Sequence, residues 1–453
     1  MPTSIATEVI AAIATAPGRG GIGVVRVSGP DVSRVIEGIV GRALPARVAT
    51  RADFVDARGE TLDQGLALYF PAPASYTGEA VLELHGHGGP AVLAQILRRC
   101  LDLGARLAEP GEFTKRAFLN GKIDLAQAES VADLIDAATT TAARAAARSL
   151  SGAFSAEIHA VVDALTELRM FTEAALDFPD EDIEFIHAVD AGGKLSNLRE
   201  RLESIVSRSR QGSLLREGLD VVLIGQPNVG KSSLLNQLAG DDVAIVTPHA
   251  GTTRDAIRES VEIRGIPLHV IDTAGLRDTS DAVERIGIER AWATIARADL
   301  ALIVTDARAS EHASDAAIVG RLSPTLRRII VRNKIDLAGI EPKRSERDGA
   351  GEVWLSARTG AGVDLLREAI LAAVGAQEDM EGTFLARERH LHALHTATAH
   401  LEAAALHLDS TQPPLELFAE ELRGAQQALA AITGEFTADD LLGVIFSRFC
   451  LGK

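Results

Sequence analysis

Eight consecutive residues, Gly225-Gln-Pro-Asn-Val-Gly230-Lys231-Ser232, carry the densest chemical information in this chain. They fit GxxxxGK[ST], in which glycines let backbone N–H groups close around phosphates at a helix N-terminus. In such a loop Lys231 reaches the β- and γ-phosphates, and the Ser232 hydroxyl ligates Mg²⁺. Farther along, Asp272-Thr273-Ala274-Gly275 follows an apolar run. There a carboxylate can hold Mg²⁺ through water, and a glycine N–H can meet the γ-phosphate. Asn333-Lys334-Ile335-Asp336 follows another apolar run. The two oxygens of Asp336 suit the adjacent N1–H and N2–H donors of guanine, whereas adenine presents an acceptor at N1. Ser356-Ala357-Arg358 completes the series. Four elements in this order predict a guanine-nucleotide site with GTP as substrate. In Ras-type proteins a Gln orients the attacking water. Here the position after the glycine of the second element is Leu276, which cannot. Polar groups in Gly251–Asp255 and in the segment 276–287 are both open as replacements, and spacing does not choose between them.

These loops need strands that end at one edge. Between residues 219 and 375, apolar runs at Val221–Ile224, His269–Ile271, Leu300–Val304, Ile329–Val331 and Val353–Leu355 alternate with helical spacing. Strands separated by helices predict a parallel sheet with helices on both faces, and ligands at the strands' C-terminal edge. Residues 1 to about 120 mix short strand-like runs (Gly23–Val27, Leu66–Phe70, Ala80–His85) with Gly and Pro punctuation, an α+β or α/β pattern. From about Leu125 through Ala175, and again over Lys194–Ser209, apolar residues recur at three- and four-residue steps. Helical texture returns from about Leu385 to the end, broken at Pro413–Pro414. Helices on both sides of a strand-rich block predict that the block is inserted into a helical domain.

Composition narrows the class. A chain of 453 residues, 46% of them hydrophobic, has room for about three domains. Lys plus Arg number 46 against 63 Asp plus Glu, and a net charge of −17 disfavours broad electrostatic gripping of nucleic acid. Two cysteines, Cys100 and Cys450, make no disulfide framework and fit a reducing cytoplasm. No apolar run reaches the ~18 residues of a membrane span. The N-terminus has no basic residue before its mildly apolar stretch, as a signal peptide would. The expectation is a cytoplasmic, multidomain protein with no membrane association.

Further segments carry a resemblance. Gly225–Ser232 with Asn228, Ile245-Val-Thr247, Ala250-Gly-Thr-Thr-Arg-Asp255 and Asp272-Thr-Ala-Gly-Leu-Arg277 resemble the MnmE (TrmE) tRNA-modification GTPases. The terminal Phe449-Cys450-Leu451-Gly452-Lys453 is similar to that family's Phe-Cys-Ile-Gly-Lys ending. Pro17–Gly21, Tyr76-Thr-Gly-Glu79, Glu83–Gly89, Pro110-Gly-Glu-Phe113 and Phe118-Leu-Asn120 extend the likeness over the whole chain. The resemblance implies an α/β folate-binding and dimerisation domain over residues 1–120. It implies an all-α domain split between 121–217 and 377–453, and an inserted Ras-like P-loop GTPase domain over 218–376. To the GTP site it adds Val229, Ser233, Thr247, Thr252, Thr253, Thr273 and Ala274 beside the residues already named. Mg²⁺ would be held by Ser232 and Thr253, and K⁺ by Asn228, Thr247, the carbonyl of His249 and Thr252. A K⁺ ion against the phosphates could supply the positive charge that an arginine finger supplies elsewhere. Glu284 would act as general base, or orient water through a second water, when two GTPase domains meet. Arg26, Glu83, Lys122 and Lys453 match the contacts to a tetrahydrofolate derivative, 5-formyl- or 5,10-methylene-tetrahydrofolate, and Cys450 would lie near it. The implied partners are a second copy of the chain, the flavoprotein MnmG (GidA) in a heterotetrameric complex, and tRNA. Together they would add an aminomethyl-type (carboxymethylaminomethyl) group to C5 of the wobble uridine, using a one-carbon unit from folate.

Other features point elsewhere. Cys450 is fourth from the end, the place of a prenylation box, but Gly452 and Lys453 do not fit that signal and no polybasic segment precedes it. His390, His392, His395, His400 and His407 hint at metal, yet their spacing gathers no tetrahedral set on one helix face, and a solvated helix is expected. His85-Gly86-His87 also looks metal-like, and a glycine-rich turn between strand and helix explains it equally. The alternative function is a ribosome-assembly switch GTPase that binds RNA. Against it, residues 377–453 hold 12 acidic residues and 5 basic ones, no basic RNA module.

Overall fold

A computed structural model describes residues 8–177, 190–239, 258–272, 298–309, 326–347, 350–376, 382–410 and 413–435, with 320, 322–323, 445–446, 449 and 452. The chain falls into two compact units, each discontinuous in sequence. One comprises Met1–Ala132, Ser149–Leu195 and Ala399–Lys453, and the other Asp133–Arg148 and Ser196–Thr398.

In the first unit, strands β1 (Ile10–Ile13), β2 (Gly20–Gly29), β3 (Thr50–Val55), β4 (Thr61–Phe70), β5 (Ala80–Gly88) and β6 (Arg106–Leu107) form one sheet in the order β3-β4-β5-β2-β1-β6. All neighbours are antiparallel except β1 with β6, so this layer is built from hairpins. Side chains alternate across a strand. Val25, Val27, Leu82 and Leu84 therefore point into a core with Phe54, and with Ile36 and Ile39 of helix α1 (Ser33–Val40) and Ile96 of α2 (Pro90–Asp102). The same alternation turns Arg26 and Glu83, register partners on β2 and β5, to the opposite face. Helix α3 (Glu112–Leu119) follows, and Phe113 buries beside Ile10 and Ala12 on that face.

The helical texture read as continuous from Leu125 to Ala175 is three helices: α4 (Leu125–Asp136), α5 (Thr140–Leu150) and α6 (Ala153–Asp177). A threonine makes the first break. Thr139 Oγ1 accepts the backbone N–H of Ala142 at 3.1 Å, an N-cap arrangement that starts a new helix. Helix α7 (Ala191–Glu217) precedes the second sheet.

That sheet contains β7 (Leu219–Ile224), β8 (Arg258–Ile263), β9 (Ile266–Asp272), β10 (Leu300–Asp306), β11 (Arg327–Asn333), β12 (Lys343–Arg347) and β13 (Ala350–Trp354), in the order β12-β13-β11-β10-β7-β9-β8. The five inner strands, which sequence analysis expected, are parallel; β8 and β12 add to the edges antiparallel. Those two carry polar sequences, RESVEI and KRSER, because an edge strand need not be apolar on both faces. One face packs Val221, Leu223, Leu302 and Val331 against Leu234 and Leu238 of α8 (Lys231–Ala239) and against Leu366 and Ile370 of a later helix (Val363–Val374). Val222, Ile224 and Ala301 bury on the other face with Leu322. The inner strands are thus covered on both sides.

The short helix α9 (Ile335–Ala338) precedes that later helix, α10 (Val363–Val374). Two helices follow, α11 (Glu388–Leu408) and α12 (Leu415–Thr433), separated near the two prolines as their sequence requires. The histidines of α11 are not all solvated. His390 is buried and its Nδ1 accepts the backbone N–H of Arg387, while His400 Nδ1 lies 2.6 Å from Glu421 Oε2 of α12. Among the described residues no three His, Cys, Asp or Glu side chains gather as a metal cluster. No described helix is long and apolar enough to cross a membrane.

Candidate nucleotide and folate sites

The parallel register brings the ends of β7, β10 and β11 to one edge: Ile224 pairs with Ile303, and Asp306 with Asn333. From β7 the chain turns through Gly225–Gly230 into α8. A side chain at Gly225 would collide with the Val304 carbonyl of the neighbouring strand, and one at Gly230 with the Asn333 amide. Both positions therefore need glycine, and Asn228 takes a left-handed conformation, φ 62°, between them. Lys231 Nζ donates to the carbonyl of Gly225 at 2.7 Å, which sets its ammonium across the loop. The side chains of Ser232 and Ser233, in the first turn of α8, are exposed, and Val229 is buried.

Asn333 joins three loops. Its Nδ2 donates to the Val229 carbonyl at 2.7 Å, and its Oδ1 accepts the N–H groups of Lys334 and Ala357, both at 2.8 Å. Lys334 Nζ donates to the Asn228 carbonyl at 2.7 Å and lies 3.2 Å from Asp306 Oδ2. Asp336 accepts from Ser356 Oγ at 2.7 Å and pairs with Arg358 at 2.9 Å. The loop residues predicted to hold the base thus form one connected set. All of its hydrogen bonds are local to the strand ends.

Asp306 is a residue that sequence reasoning missed. Arg308 beside it, and then Lys334, hold its carboxyl well below the usual carboxylate range despite partial burial. The readable signal was its place at the end of an apolar strand, and the register then pairs it with Asn333.

Several predicted residues fall outside the described ones: Glu284, Cys450, Thr247, His249, Thr252, Thr253, Thr273, Ala274, Gly275 and Lys453. Asp272 ends β9 opposite Leu223, with only its backbone described.

In the first unit, Arg26 Nε donates to Glu83 Oε1 at 2.9 Å, and the guanidinium lies over the rings of Tyr76, at 5.4 Å, and Phe113, at 5.8 Å. Arg26 Nη1 reaches the Gly452 carbonyl at 3.5 Å, which places Gly452 at this site. The side chain of Lys122 runs past Gly78, two residues from Tyr76, so Lys122 and Arg26 both border the Tyr76–Gly78 segment. Burial pushes the Tyr76 phenol up from its ordinary range, and its hydroxyl meets Thr114 Oγ1 at 2.8 Å.

A charged network lies beneath that loop. Arg116, almost wholly buried, bonds to Glu79 and Glu112 at 2.9 Å each, and Ser28 Oγ donates to Glu79 at 2.9 Å. Arg106 donates to both oxygens of Glu112 and shares Oε1 with Arg116. Burial alone would raise the Glu112 carboxyl, but hydrogen bonds from Arg106, from the N–H of Glu109 and from Arg116 hold it below its ordinary range. Glu79 and Glu112 belong to the segments Tyr76–Glu79 and Pro110–Phe113, whose sequence signal was present but whose role is support.

A family model described as the MnmE helical domain matches residues 125–450, and one described as the N-terminus of GTP-binding protein TrmE matches residues 9–122. The tRNA modification GTPase MnmE of Azoarcus sp. (strain BH72) is 61% identical, covering 98% of this chain and 98% of that one. The protein of the same name from Ralstonia nicotianae is 59% identical over 99% of this chain and 97% of its own length. That from Chromobacterium violaceum is 58% identical over 100% of both. Among solved structures, the FeoB G-domain from Methanococcus jannaschii is 29% identical, covering 35% of this chain and 98% of that chain with a TM-score of 0.25. With both family models matched in sequence order and relatives aligned end to end, this chain belongs to the MnmE family of tRNA modification GTPases.

Proposed function

We propose that this chain hydrolyses GTP with K⁺ assistance and, with a flavoprotein of the MnmG kind, adds an aminomethyl-type group to C5 of the tRNA wobble uridine from a folate one-carbon unit. The observation that carries the nucleotide half is the Asn333 junction, which ties the phosphate loop to both base-recognition loops. GTP is held by Asn228, Val229, Gly230, Lys231, Ser232 and Ser233 at the phosphates, and by Asn333, Lys334, Asp336, Ser356, Ala357 and Arg358 at the base. Thr247, Thr252, Thr253 and Asp272–Gly275 complete it.

The donor set fits the two ions. The Ser232 hydroxyl is exposed at the first turn of α8, a hard oxygen for Mg²⁺, with Thr253 as second ligand. Asn228 offers a side-chain oxygen from an exposed, left-handed position beside the loop, as K⁺ needs, joined by Thr247, His249 and Thr252. Bound there, K⁺ supplies positive charge as negative charge develops on the transferred phosphoryl group. Glu284 positions or deprotonates water when two copies meet.

For folate, Glu83 accepts from pterin N–H groups, and Arg26, Lys122 and Lys453 meet carboxylates, with Cys450 close by. The folate, helical and GTPase divisions at residues 1–120, 121–217 with 377–453, and 218–376 belong to this reading, as do a homodimer, a heterotetramer with the flavoprotein, and a cytoplasmic location.

Hydrolysis should be at least tenfold faster in K⁺ than in Na⁺ buffer of equal ionic strength (on the order of a partial arginine-finger effect). Equal rates in the two salts would sink the K⁺ mechanism. Glu284→Ala should abolish hydrolysis while leaving the fluorescent-GTP dissociation constant in place.

A further inference from the structure

The Gly-rich end of β5 holds a pair that neither the nucleotide nor the folate reading uses. Both oxygens of Asp63, from β4, are committed to residue 87. Oδ2 accepts the His87 backbone N–H at 2.7 Å, and Oδ1 lies 2.7 Å from His87 Nδ1. The two side chains differ sharply in exposure, 10% for Asp63 and 73% for His87. Gly86 makes the approach possible, since a Cβ there would stand 2.5 Å from Asp63 Oδ2. Hydrogen bonds from His87 keep the Asp63 carboxyl below its ordinary range even though burial acts the other way.

A carboxylate only accepts, so Nδ1 must carry the hydrogen. In the neutral ring Nε2 is then a lone-pair nitrogen, on a side chain whose partner fixes its orientation. That is the division of labour by which a buried carboxylate orients a general-base imidazole. Holding β4 to β5 past the last ladder pair would need only the bond to the backbone N–H. The second oxygen on the ring is the surplus that calls for an explanation. His87 lies four residues from Glu83 along β5, roughly 13 Å at the rise of a strand.

We propose that Asp63 and His87 are an acid–base dyad for the modification reaction, acting on a protonated amine co-substrate. This rests on the reading above: the added group is of the aminomethyl type, folate supplies its carbon, and an amine must therefore supply its nitrogen. At neutral pH most aliphatic amines are ammonium ions, which have no lone pair to attack with. In the step, one ammonium N–H bond breaks and its electron pair stays on nitrogen. The proton moves to His87 Nε2, making an imidazolium held by Asp63, and then passes to water.

The test uses the full-length chain with its flavoprotein partner, undermodified tRNA, GTP, folate and amine, with wobble nucleosides quantified by mass spectrometry. His87→Ala should slow product formation by about 10²-fold or more, within the range for losing a general base. GTP hydrolysis and 5-formyltetrahydrofolate affinity should stay within about twofold, and added imidazole should restore part of the rate. Asp63→Asn should slow modification in the same direction by a smaller factor. A wild-type modification rate in both His87→Ala and His87→Gln would make the ring a passenger of the strand end and overturn the proposal. So would a loss that imidazole does not rescue and that comes with lost folate binding. Should the wild-type chain itself give no wobble product, the reading of its function fails first, and the dyad with it.

Discussion

In the loops proposed to hold guanine, the candidate ligand residues also hold one another: Asn333 bonds to the loops before and after it, and Asp336 to Ser356 and Arg358. Around Arg26 and Glu83 the support comes from beneath, through Arg116, Glu79 and Glu112, none of which was expected to touch ligand. A site that braces itself must keep its residues contiguous, and so it leaves motifs. A site braced from below can scatter single residues over strands far apart in sequence. The two arrangements break in different ways.

The largest effect is expected where recognition and bracing coincide. On the proposed reading, Asp336→Asn removes two charge-assisted bonds to guanine, worth about 1.5–3 kcal/mol each. GTP affinity should fall on the order of 10²–10⁴-fold by fluorescent-nucleotide titration. The new amide can donate to the 2-oxo group of xanthine, so XTP should bind the variant better than GTP does. A loss below about tenfold would mean that Asp336 serves mainly to anchor Ser356 and Arg358.

Legibility followed the same division. Lys231, Asn333 and Asp336 could be placed from spacing because phosphate and base chemistry dictate short contiguous strings. The five inner strands showed because burial on both faces demands apolar runs; β8 and β12 hid because an edge does not. One run of helical periodicity concealed the break at Thr139, where a single side-chain cap outweighs local propensity. Arg26 and Glu83 are 57 residues apart and became a pair only through register, so resemblance alone pointed to them. Arg116 had no outward sign, since a buried guanidinium reads in sequence like any surface arginine.

Arg116→Met tests the brace from below. Two carboxylates would lose a buried partner, and breaking such a pair costs about 3–5 kcal/mol. The first unit should melt earlier by calorimetry and lose 5-formyltetrahydrofolate binding, while GTP binding in the other unit stays at its wild-type value. Acid gives a second measure. The Glu112 carboxyl is depressed in the folded state, so its contribution is complete above about pH 4.5, its unfolded range, and fades as pH falls below that. Wild-type stability should drop on acidification through that window, and the variant should drop less. An unchanged melting profile for Arg116→Met would show that Glu79 and Glu112 find water or other donors, and the contrast between the two sites would fail.

The smallest effect probes the self-braced site at its margin. Asp306 and the Asn228 carbonyl share the Lys334 ammonium, so Asp306→Ala leaves one of two tethers in place. A half-exposed ion pair of this kind contributes up to about 1 kcal/mol, which predicts roughly a fivefold weaker GTP complex. The loss should sit in the dissociation rate, where most affinity differences between related complexes fall. The wild-type grip should not titrate between pH 5 and 8. A carboxyl held this far below its ordinary range stays ionised there, and its contribution fades only when pH falls well below the usual carboxylate range. Asp306→Glu, which keeps the charge on a longer arm, should recover part of the lifetime. If Asp306→Ala releases nucleotide at the wild-type rate, the Asn228 carbonyl alone positions Lys334, and the base end of the site is braced by backbone and amide bonds with no need of an ion pair.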